Sequence, residues 1–364
     1  MIIVAIIFTS SSTTHALAAQ VNKQETLTPF MLVQQEPNSA ASYFERGVRR
    51  ANSGNGQGAI ADFSQVIQLD PNNALAYYNR GVLRDQSGDI QGALTDYNRS
   101  IQLDPSNALA YSNRGVLRDE LGDIQGALAD YNRAIQLNPN DALTYYNTGA
   151  LRANSGDSQG ALTDYNRAIE LDPNLAIAYY NRGNLRFESG DDQGALTDYN
   201  RAIELDPNYS SAYNSRGILR DESGDSQGAL TDYNRAIELN PNNVRAYYNR
   251  GLLYVNSGDS REALADFNRT IELDPNFSEA YNNRGNLQLN SGNQQEALAD
   301  FNRAIELNPD NAEAYYNRGR LRVNLEARQG AVADLQTAAD LFQATGDTVN
   351  YERVEEVLRR VQQQ

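Results

Sequence analysis

A 34-residue repeat extends over most of the 364-residue chain. Each copy has a tyrosine followed four residues later by a glycine. The tyrosines are Tyr77, Tyr111, Tyr145, Tyr179, Tyr213, Tyr247, Tyr281 and Tyr315. The glycines are Gly81, Gly115, Gly149, Gly183, Gly217, Gly251, Gly285 and Gly319. A repeat of this length predicts a stack of small units, because no single copy can bury its own apolar face.

The copy from Ala176 to Tyr209 contains two helical patterns separated by a turn. The first helix is predicted from about Ala176 to Glu188, and Gly190 suits the left-handed backbone that often follows a helix. Asp191 can cap the second helix, because its carboxylate accepts hydrogen bonds from unpaired amides. Pro207 ends that helix, since proline has no amide hydrogen. The second helix has an apolar stripe of Ala195, Leu196, Tyr199, Ala202, Ile203 and Leu205.

At these residues the chain resembles the tetratricopeptide repeat family. The family pattern has an aromatic residue, Leu-Gly and a tyrosine in the first helix, then an alanine, an aromatic residue and a proline. The matching residues of this copy are Tyr179, Arg182, Gly183, Arg186, Ala195, Tyr199 and Pro207. Tyrosine therefore replaces the usual tryptophan, and arginine stands where the family prefers leucine and tyrosine.

The resemblance implies an all-α fold, a right-handed α-solenoid of about nine helix-turn-helix repeats. These repeats cover 40–345 and start at residues 40, 74, 108, 142, 176, 210, 244, 278 and 312. A solenoid requires atypical end units, since their outer faces meet water. Segment 346–364 places Tyr351, Val354, Leu358 and Val361 on one helical stripe. We therefore predict a C-terminal capping helix there.

The first 19 residues have the features of a secretory signal peptide. Residues 2–8 form an apolar run too short to span a bilayer, and Ala16, Leu17 and Ala18 provide the small residues of a cleavage site. Residues 20–39 are predicted to be a linker. We expect an exported protein of a bacterial type, periplasmic or secreted, and a cytoplasmic protein if the N-terminus is misassigned.

The composition argues against several classes of function. The formal net charge is −16, with 47 acidic against 31 basic residues, which disfavours nucleic acid because phosphates would be repelled. The chain has no cysteine, and its only histidine is His15, in the predicted signal peptide. No glycine-rich phosphate loop or isolated acid pair stands out from the repeats. The sequence thus predicts no catalytic residue, metal site or cofactor, and a protein that is not an enzyme.

Two charged residues recur with the repeat. Arginine precedes the repeat glycine at Arg46, Arg80, Arg114, Arg182, Arg216, Arg250, Arg284 and Arg318, and Thr148 interrupts the series. Aspartate precedes the aromatic residue of the second helix at Asp62, Asp96, Asp130, Asp164, Asp198, Asp232, Asp266, Asp300 and Asp334. In the resembled fold these positions lie near the seam between the helices, so we predict a ladder of Arg–Asp pairs. The alternatives are an anion-binding stripe of arginines and independently solvated charges.

A polar series occupies the position just before the recurrent arginine. Its members are Asn79, Asn113, Asn147, Asn181, Asn249, Asn283 and Asn317, with Ser215 in the gap. Beside them lie Tyr78, Tyr146, Tyr180, Tyr248 and Tyr316. In the resembled family this position faces a concave groove, where an amide can both donate to and accept from a peptide bond. We predict that these twelve residues bind a ligand; the alternatives are asparagines that cap local backbone or are solvated.

The predicted groove is acidic. Its charged residues are Asp85, Asp119, Glu120, Asp221 and Glu222, with Arg245 as the basic neighbour. The predicted function is a non-enzymatic protein–protein interaction scaffold that binds extended, neutral to basic peptide segments and assembles an exported or envelope complex. The alternative is a carbohydrate-binding envelope protein that handles peptidoglycan or exopolysaccharide, since tyrosine can stack on a sugar and asparagine can bind its hydroxyls.

Overall fold

The computed structural model describes residues 38–363, and within this range the chain forms nineteen α-helices and no strand. The all-α fold expected from the repeat is confirmed. The predicted signal peptide, residues 20–37 of the predicted linker and Gln364 lie outside the described residues.

Two helices alternate along the repeats. The first helices are α1 (Ala40–Asn52), α3 (Ala74–Gln86), α5 (Ala108–Glu120), α7 (Ala142–Asn154), α9 (Ala176–Glu188), α11 (Ser210–Glu222), α13 (Val244–Ser257), α15 (Ser278–Asn290) and α17 (Ala312–Asn324). The second helices are α2 (Gly56–Leu69), α4 (Ile90–Leu103), α6 (Ile124–Leu137), α8 (Ser158–Leu171), α10 (Asp192–Leu205), α12 (Ser226–Leu239), α14 (Ser260–Leu273), α16 (Gln294–Leu307) and α18 (Arg328–Thr345). Helix α19 (Thr348–Gln363) follows the last repeat.

A glycine and an aspartate form the turn inside a repeat. Gly190 has a φ of +80°, which an L-residue with a side chain adopts only with strain. Asp191 accepts a hydrogen bond from the amide of Gly194 at 3.0 Å and so satisfies one free amide of α10. Both expectations for this turn are confirmed.

Small residues allow the two helices of a repeat to pack closely. A Cβ atom added to Gly217 would lie 2.7 Å from the ring of Tyr233, which shows how near the ring approaches the first helix. Tyr233 and Ala229 are fully buried and pack with Leu253 of the next repeat. The core is therefore a series of small clusters that consecutive repeats share.

The chain divides into two compact units, and the division falls after Leu185, within α9. The first unit, as far as it is described, comprises residues 38–185, from α1 to most of α9. The second comprises residues 186–363, from the end of α9 to α19. Each unit is an α-solenoid of helical hairpins, in which the second helix of one repeat packs on the first helix of the next.

The second unit ends with an added helix. Helix α19 contributes three buried side chains: Val354, Leu358 and Val361. They belong to one apolar cluster with Tyr316 and Phe342 of the last repeat. The predicted apolar stripe therefore covers a face that a tenth repeat would otherwise occupy.

Glu326 takes the turn position at which the eight preceding repeats have glycine, and its φ is +55°. The left-handed backbone costs a residue with a side chain about 1–2 kcal/mol, and the greater freedom of glycine in the unfolded chain offsets part of this. We expect Glu326→Gly to raise the free energy of unfolding by about 0.5–1 kcal/mol in urea denaturation. The reverse change, Gly292→Glu at a φ of +84°, should lower it by a similar amount. Unchanged stability in both variants would contradict the argument.

Candidate functional site

Arginine–aspartate pairs connect the two helices of a repeat. Arg216 donates two parallel hydrogen bonds to Asp232, at 2.8 Å from Nε and 2.6 Å from Nη2. The other pairs of this bidentate form are Arg46–Asp62, Arg80–Asp96, Arg114–Asp130, Arg250–Asp266, Arg284–Asp300 and Arg318–Asp334. The aspartates of all seven pairs are buried. The predicted ladder is confirmed for these seven pairs, which we call the Arg–Asp ladder.

Most of these carboxylates also bind a second arginine, which the sequence-based prediction missed. It lies four residues after the first, so both arginines lie on the same face of the helix. Arg220 Nη1 donates to Asp232 Oδ2 at 2.8 Å. The equivalent residues are Arg50, Arg84, Arg118, Arg152, Arg186 and Arg322. The recurrence of this arginine every 34 residues is the signal that could have identified it.

The first arginine also connects consecutive repeats. Arg216 Nη1 donates to Asn200 of the preceding second helix at 2.7 Å, and the guanidinium carbon lies 5.4 Å from the centre of the Tyr213 ring. The same asparagine contact joins Arg114–Asn98, Arg182–Asn166, Arg250–Asn234, Arg284–Asn268 and Arg318–Asn302. These guanidinium groups are bound by the protein itself, which favours a structural ladder over an anion-binding stripe.

Thr148 interrupts the ladder in the fourth repeat. Its hydroxyl donates to the carbonyl of Thr144 at 2.7 Å, within its own helix. Arg152 Nη1 donates to Asp164 at 2.6 Å and supplies the guanidinium on this carboxylate. Burial raises the pKa of Asp164, and the Arg152 charge only partly opposes this effect. The negative charge of Asp164 is therefore less well neutralised than that of a carboxylate bound by two arginines.

The predicted asparagines form hydrogen bonds between neighbouring first helices. Asn181 donates to the Tyr146 hydroxyl of the preceding repeat at 3.0 Å, and Asn283 donates to Tyr248 at 3.1 Å. The other described bonds of this series are Asn113–Tyr78, Asn249–Asn214 and Asn317–Asn282. Neither local capping nor simple solvation describes these five asparagines, because each donates to a residue 35 positions earlier.

The twelve predicted ligand-binding residues differ in exposure. Asn79 and Tyr78 are 0% and 1% exposed, and Asn317 and Tyr316 are 6% and 5% exposed. Arg353 of α19 lies over the Tyr316 ring, 4.4 Å from its centre. A side chain without exposed surface cannot contact a ligand in this conformation, so Asn79 and Tyr78 leave the candidate site, whereas Asn317 and Tyr316 keep a small exposed fraction. The half-buried members are Asn113, Asn147, Asn181, Asn249, Asn283, Tyr146, Tyr180 and Tyr248.

Asn79 differs from these five asparagines, because both of its buried amide atoms have no hydrogen-bond partner. Phe44 stands one repeat earlier, at the position where Tyr146 and Tyr248 accept a bond. We expect Phe44→Tyr to raise the free energy of unfolding by about 1 kcal/mol, because its hydroxyl would give Asn79 an acceptor. Urea denaturation measures this change. In an Asn79→Ala background the same substitution should have no stabilising effect; an equal gain there would contradict the explanation.

Carboxylates accumulate near the ends of two sets of first helices. In the first unit, burial and the charge of Glu120 raise the pKa of Asp85 to about 6. Burial and Glu120 also raise the pKa of Asp119. In the second unit, burial raises the pKa of Asp221. Each of the two units therefore has carboxylates near the ends of its first helices whose charged form is disfavoured by burial.

The raised pKa of Asp85 predicts a pH-dependent stability. Its pKa is 3.8 for the unperturbed group and about 6 in the folded protein, so between these values the folded state binds a proton that the unfolded state lacks. Asp85 thus increasingly favours unfolding as the pH rises from 3.8 to about 6, and this effect is lost only as the pH falls to about 4. We expect Asp85→Asn to stabilise the protein at about pH 7.5 and much less at about pH 4, measured by urea denaturation. An identical gain at both pH values would contradict the assignment.

Within residues 38–363, no group of three or more histidine, cysteine, aspartate or glutamate side chains is arranged to hold a metal ion. In the same part of the chain, the helices all fall short of the length and apolarity needed to cross a membrane.

Family descriptions match the repeats from residue 49 to residue 331. The description "TPR repeat" matches 49–84, 86–118, 149–190, 183–220 and 222–258. Two further descriptions are both named "Tetratricopeptide repeat". One matches 108–141, 244–277 and 278–311. The other matches 130–163 and 301–331. The chain belongs to the tetratricopeptide repeat family. Its general function is therefore that of a protein-interaction scaffold, and none of the matching families is an enzyme family.

Solved tetratricopeptide repeat structures are similar to this one. A protein from Parabacteroides merdae ATCC 43184 is 24% identical with a TM-score of 0.52, over 70% of this chain and 98% of that chain. The APC/C heterotetramer Cut9–Hcn1 is 14% identical, with a TM-score of 0.57. The match covers 88% of this chain and 76% of that chain. Both show the fold alone. YrrB, described as having an unusual peptide-binding site, is 29% identical over 50% of this chain and 95% of that chain, with a TM-score of 0.42. No curated protein matches this chain.

Proposed function

We propose that this tetratricopeptide repeat protein is a non-enzymatic scaffold that binds extended peptide segments along its first helices. The observation that carries the proposal is the row of half-buried asparagines in each unit. The hydrogen bonds of Asn181 and Asn283 to the preceding repeat each use one amide N–H. A carboxamide has a second N–H and an oxygen acceptor, so it can still pair with a peptide unit of any sequence.

The contacts to Tyr146 and Tyr248 hold these amides in a fixed orientation, which reduces the entropy that binding would cost. Exposed apolar groups on the same helices, Leu143 in the first unit and Val255 in the second, can contact side chains of the peptide. The acidic residues near Asp85 and Asp221 favour basic or neutral segments. The proposed partner is therefore an extended, neutral to basic part of a protein.

A displayed library of random peptides about a dozen residues long tests the proposal. We expect neutral and basic peptides to be enriched on the wild-type chain. Affinity for them should fall at least about tenfold in a variant with four substitutions: Asn113→Ala, Asn181→Ala, Asn249→Ala and Asn283→Ala. The matched control replaces three exposed threonines of second helices, Thr95, Thr163 and Thr231, with alanine.

The control variant should bind as the wild type does, and urea denaturation must show that both variants are folded. Equal peptide affinity in the wild type and the asparagine variant would mean that the asparagines serve only to join the repeats. Enrichment of acidic peptides would overturn the charge argument. Retention of peptidoglycan or exopolysaccharide fragments without peptide binding would instead support the carbohydrate-binding alternative.

We further propose that the chain is exported and assembles its complex in the bacterial envelope or outside the cell. The apolar run 2–8 and the small residues Ala16 and Ala18 support this proposal. Expression of the full chain in a bacterium, followed by fractionation and N-terminal sequencing, tests it. We expect a periplasmic or secreted product that begins near Ala19, whereas Ala16→Arg and Ala18→Arg together should block cleavage. An uncleaved cytoplasmic product of the wild type would overturn export.

A further inference from the structure

The fourth repeat keeps the surroundings of the Arg–Asp ladder but lacks its arginine. In five other repeats the guanidinium has three kinds of partner, as Arg114 shows. It binds Asp130 at 2.8 and 2.6 Å, donates to Asn98 of the preceding second helix at 2.6 Å, and lies 5.5 Å from the Tyr111 ring centre. Thr148 stands in its place in the fourth repeat.

All three partners of that missing guanidinium are present. By the repeat register they are the carboxylate of Asp164, the amide of Asn132 and the ring of Tyr145. Arg152 binds only one carboxylate oxygen, Oδ2, at 2.6 Å. The Thr148 hydroxyl donates to the carbonyl of Thr144 and so does not take the place of the guanidinium.

The position lies near the surface, since Asn132 is exposed and Tyr145 is half-buried. The arginines of the seven ladder pairs keep 13–21% of their side-chain surface exposed. The Asp164 side chain is 9% exposed, whereas that of Asp130, which has two arginines, is 4% exposed. Burial raises the pKa of Asp164, which agrees with a carboxylate that has lost one of its cationic partners.

Arg167 lies 5.9 Å from the centre of the Tyr145 ring, but it does not replace the missing group. It is the counterpart of Arg269, which lies 5.9 Å from the Tyr247 ring in the seventh repeat. That ring is also 5.6 Å from the ladder arginine Arg250. One tyrosine of this type therefore accommodates two guanidinium groups.

We propose that the fourth repeat binds the guanidinium group of an arginine side chain from a partner protein. The planar fork would donate to Asp164 and Asn132 while its face lies against Tyr145, as the protein's own arginines do in neighbouring repeats. A lysine ammonium lacks both the fork and the flat face, so the site selects arginine over lysine. It lies at the seam between first and second helices, apart from the asparagine row, and does not depend on the proposed peptide groove.

Selective ¹⁵N labelling of threonine in the full chain provides the test. The probe is the capped tripeptide acetyl-Gly-Arg-Gly-amide, compared with its lysine counterpart. We expect the arginine peptide to shift the amide resonances of Thr144 and Thr148 saturably, with an affinity at least about tenfold higher than that of the lysine peptide. Thr95 and Thr231, exposed on other second helices, are internal references that should not move.

The matched variant is Thr148→Arg, which supplies the missing guanidinium from the chain itself. In this variant the arginine peptide should no longer shift Thr144, and thermal unfolding should show a higher Tm than in the wild type. Equal responses to the arginine and lysine peptides, no saturable shift, or an unchanged shift of Thr144 in Thr148→Arg would overturn the proposal. Tighter binding of free arginine than of the capped peptide would overturn its assignment to a protein partner.

Discussion

Replacing Asp232 with alanine is expected to lower the free energy of unfolding by about 3–5 kcal/mol. The carboxylate is 1% exposed and accepts three hydrogen bonds, two from Arg216 and one from Arg220. Its removal leaves Arg216, at the seam between α11 and α12, without its counter-charge, and leaves Arg220 with only Asp225, 3.8 Å away. The cost of these poorly compensated charges, rather than the gain from the ion pairs themselves, accounts for the size of the effect.

Urea denaturation followed by circular dichroism measures this loss. Arg235→Ala is the matched control on the same helix, because Arg235 pairs with Glu238 at the surface and such pairs contribute about 0–1 kcal/mol. Asp300→Ala is an intermediate case, since Gln288 replaces the second arginine there and only Arg284 loses its partner. A loss for Asp232→Ala no larger than that for Arg235→Ala would show that the ladder is not a structural element.

The ladder also shows how far a periodic sequence predicts contacts. Arg216 and Asp232 recur in register, and a known arrangement of the two helices places them at one seam, so their pairing follows from the sequence. Arg220 recurs in seven of the nine repeats, but it occupies a position where the family normally has a tyrosine, so the family pattern does not predict its pairing. Its spacing of four residues from Arg216 places both on one helical face, which is the physical reason that one carboxylate can bind both.

The sequence predicts which asparagines form the row, but it does not predict the hydrogen bonds that connect them to the preceding repeat. Repeat position predicts which face of the first helix Asn181 occupies. It does not predict that the Tyr146 hydroxyl lies within 3.0 Å, because that distance depends on how two consecutive first helices pack. The burial of Tyr316 has the same origin, since the packing of α19 on the last repeat decides it and no repeat-based pattern contains that information.

Gly115→Ala is expected to destabilise the first unit by about 1–3 kcal/mol, the usual cost of overpacking a well-packed core. An added Cβ would lie 2.7 Å from Cε1 and 2.8 Å from Cδ1 of the fully buried Tyr131 ring. These atoms belong to the body of a rigid ring, so the helices must separate to relieve the clash. Alanine is about 1 kcal/mol better than glycine inside a helix, and this gain offsets only part of the cost.

Alanine substitutions at two further glycines distinguish the cost of the steric clash from the gain in helix propensity. Gly56, on the first turn of α2, has no atom within 4 Å of an added Cβ, so Gly56→Ala should be neutral or slightly stabilising. Gly319 faces Leu335 instead of an aromatic ring, at 3.0 Å, and a leucine can change rotamer, so Gly319→Ala should cost less than Gly115→Ala. Urea denaturation of the three variants should rank Gly115→Ala as the most destabilised. If Gly115→Ala proves as stable as Gly56→Ala, close approach of the aromatic ring is not what requires glycine at this position of the repeat.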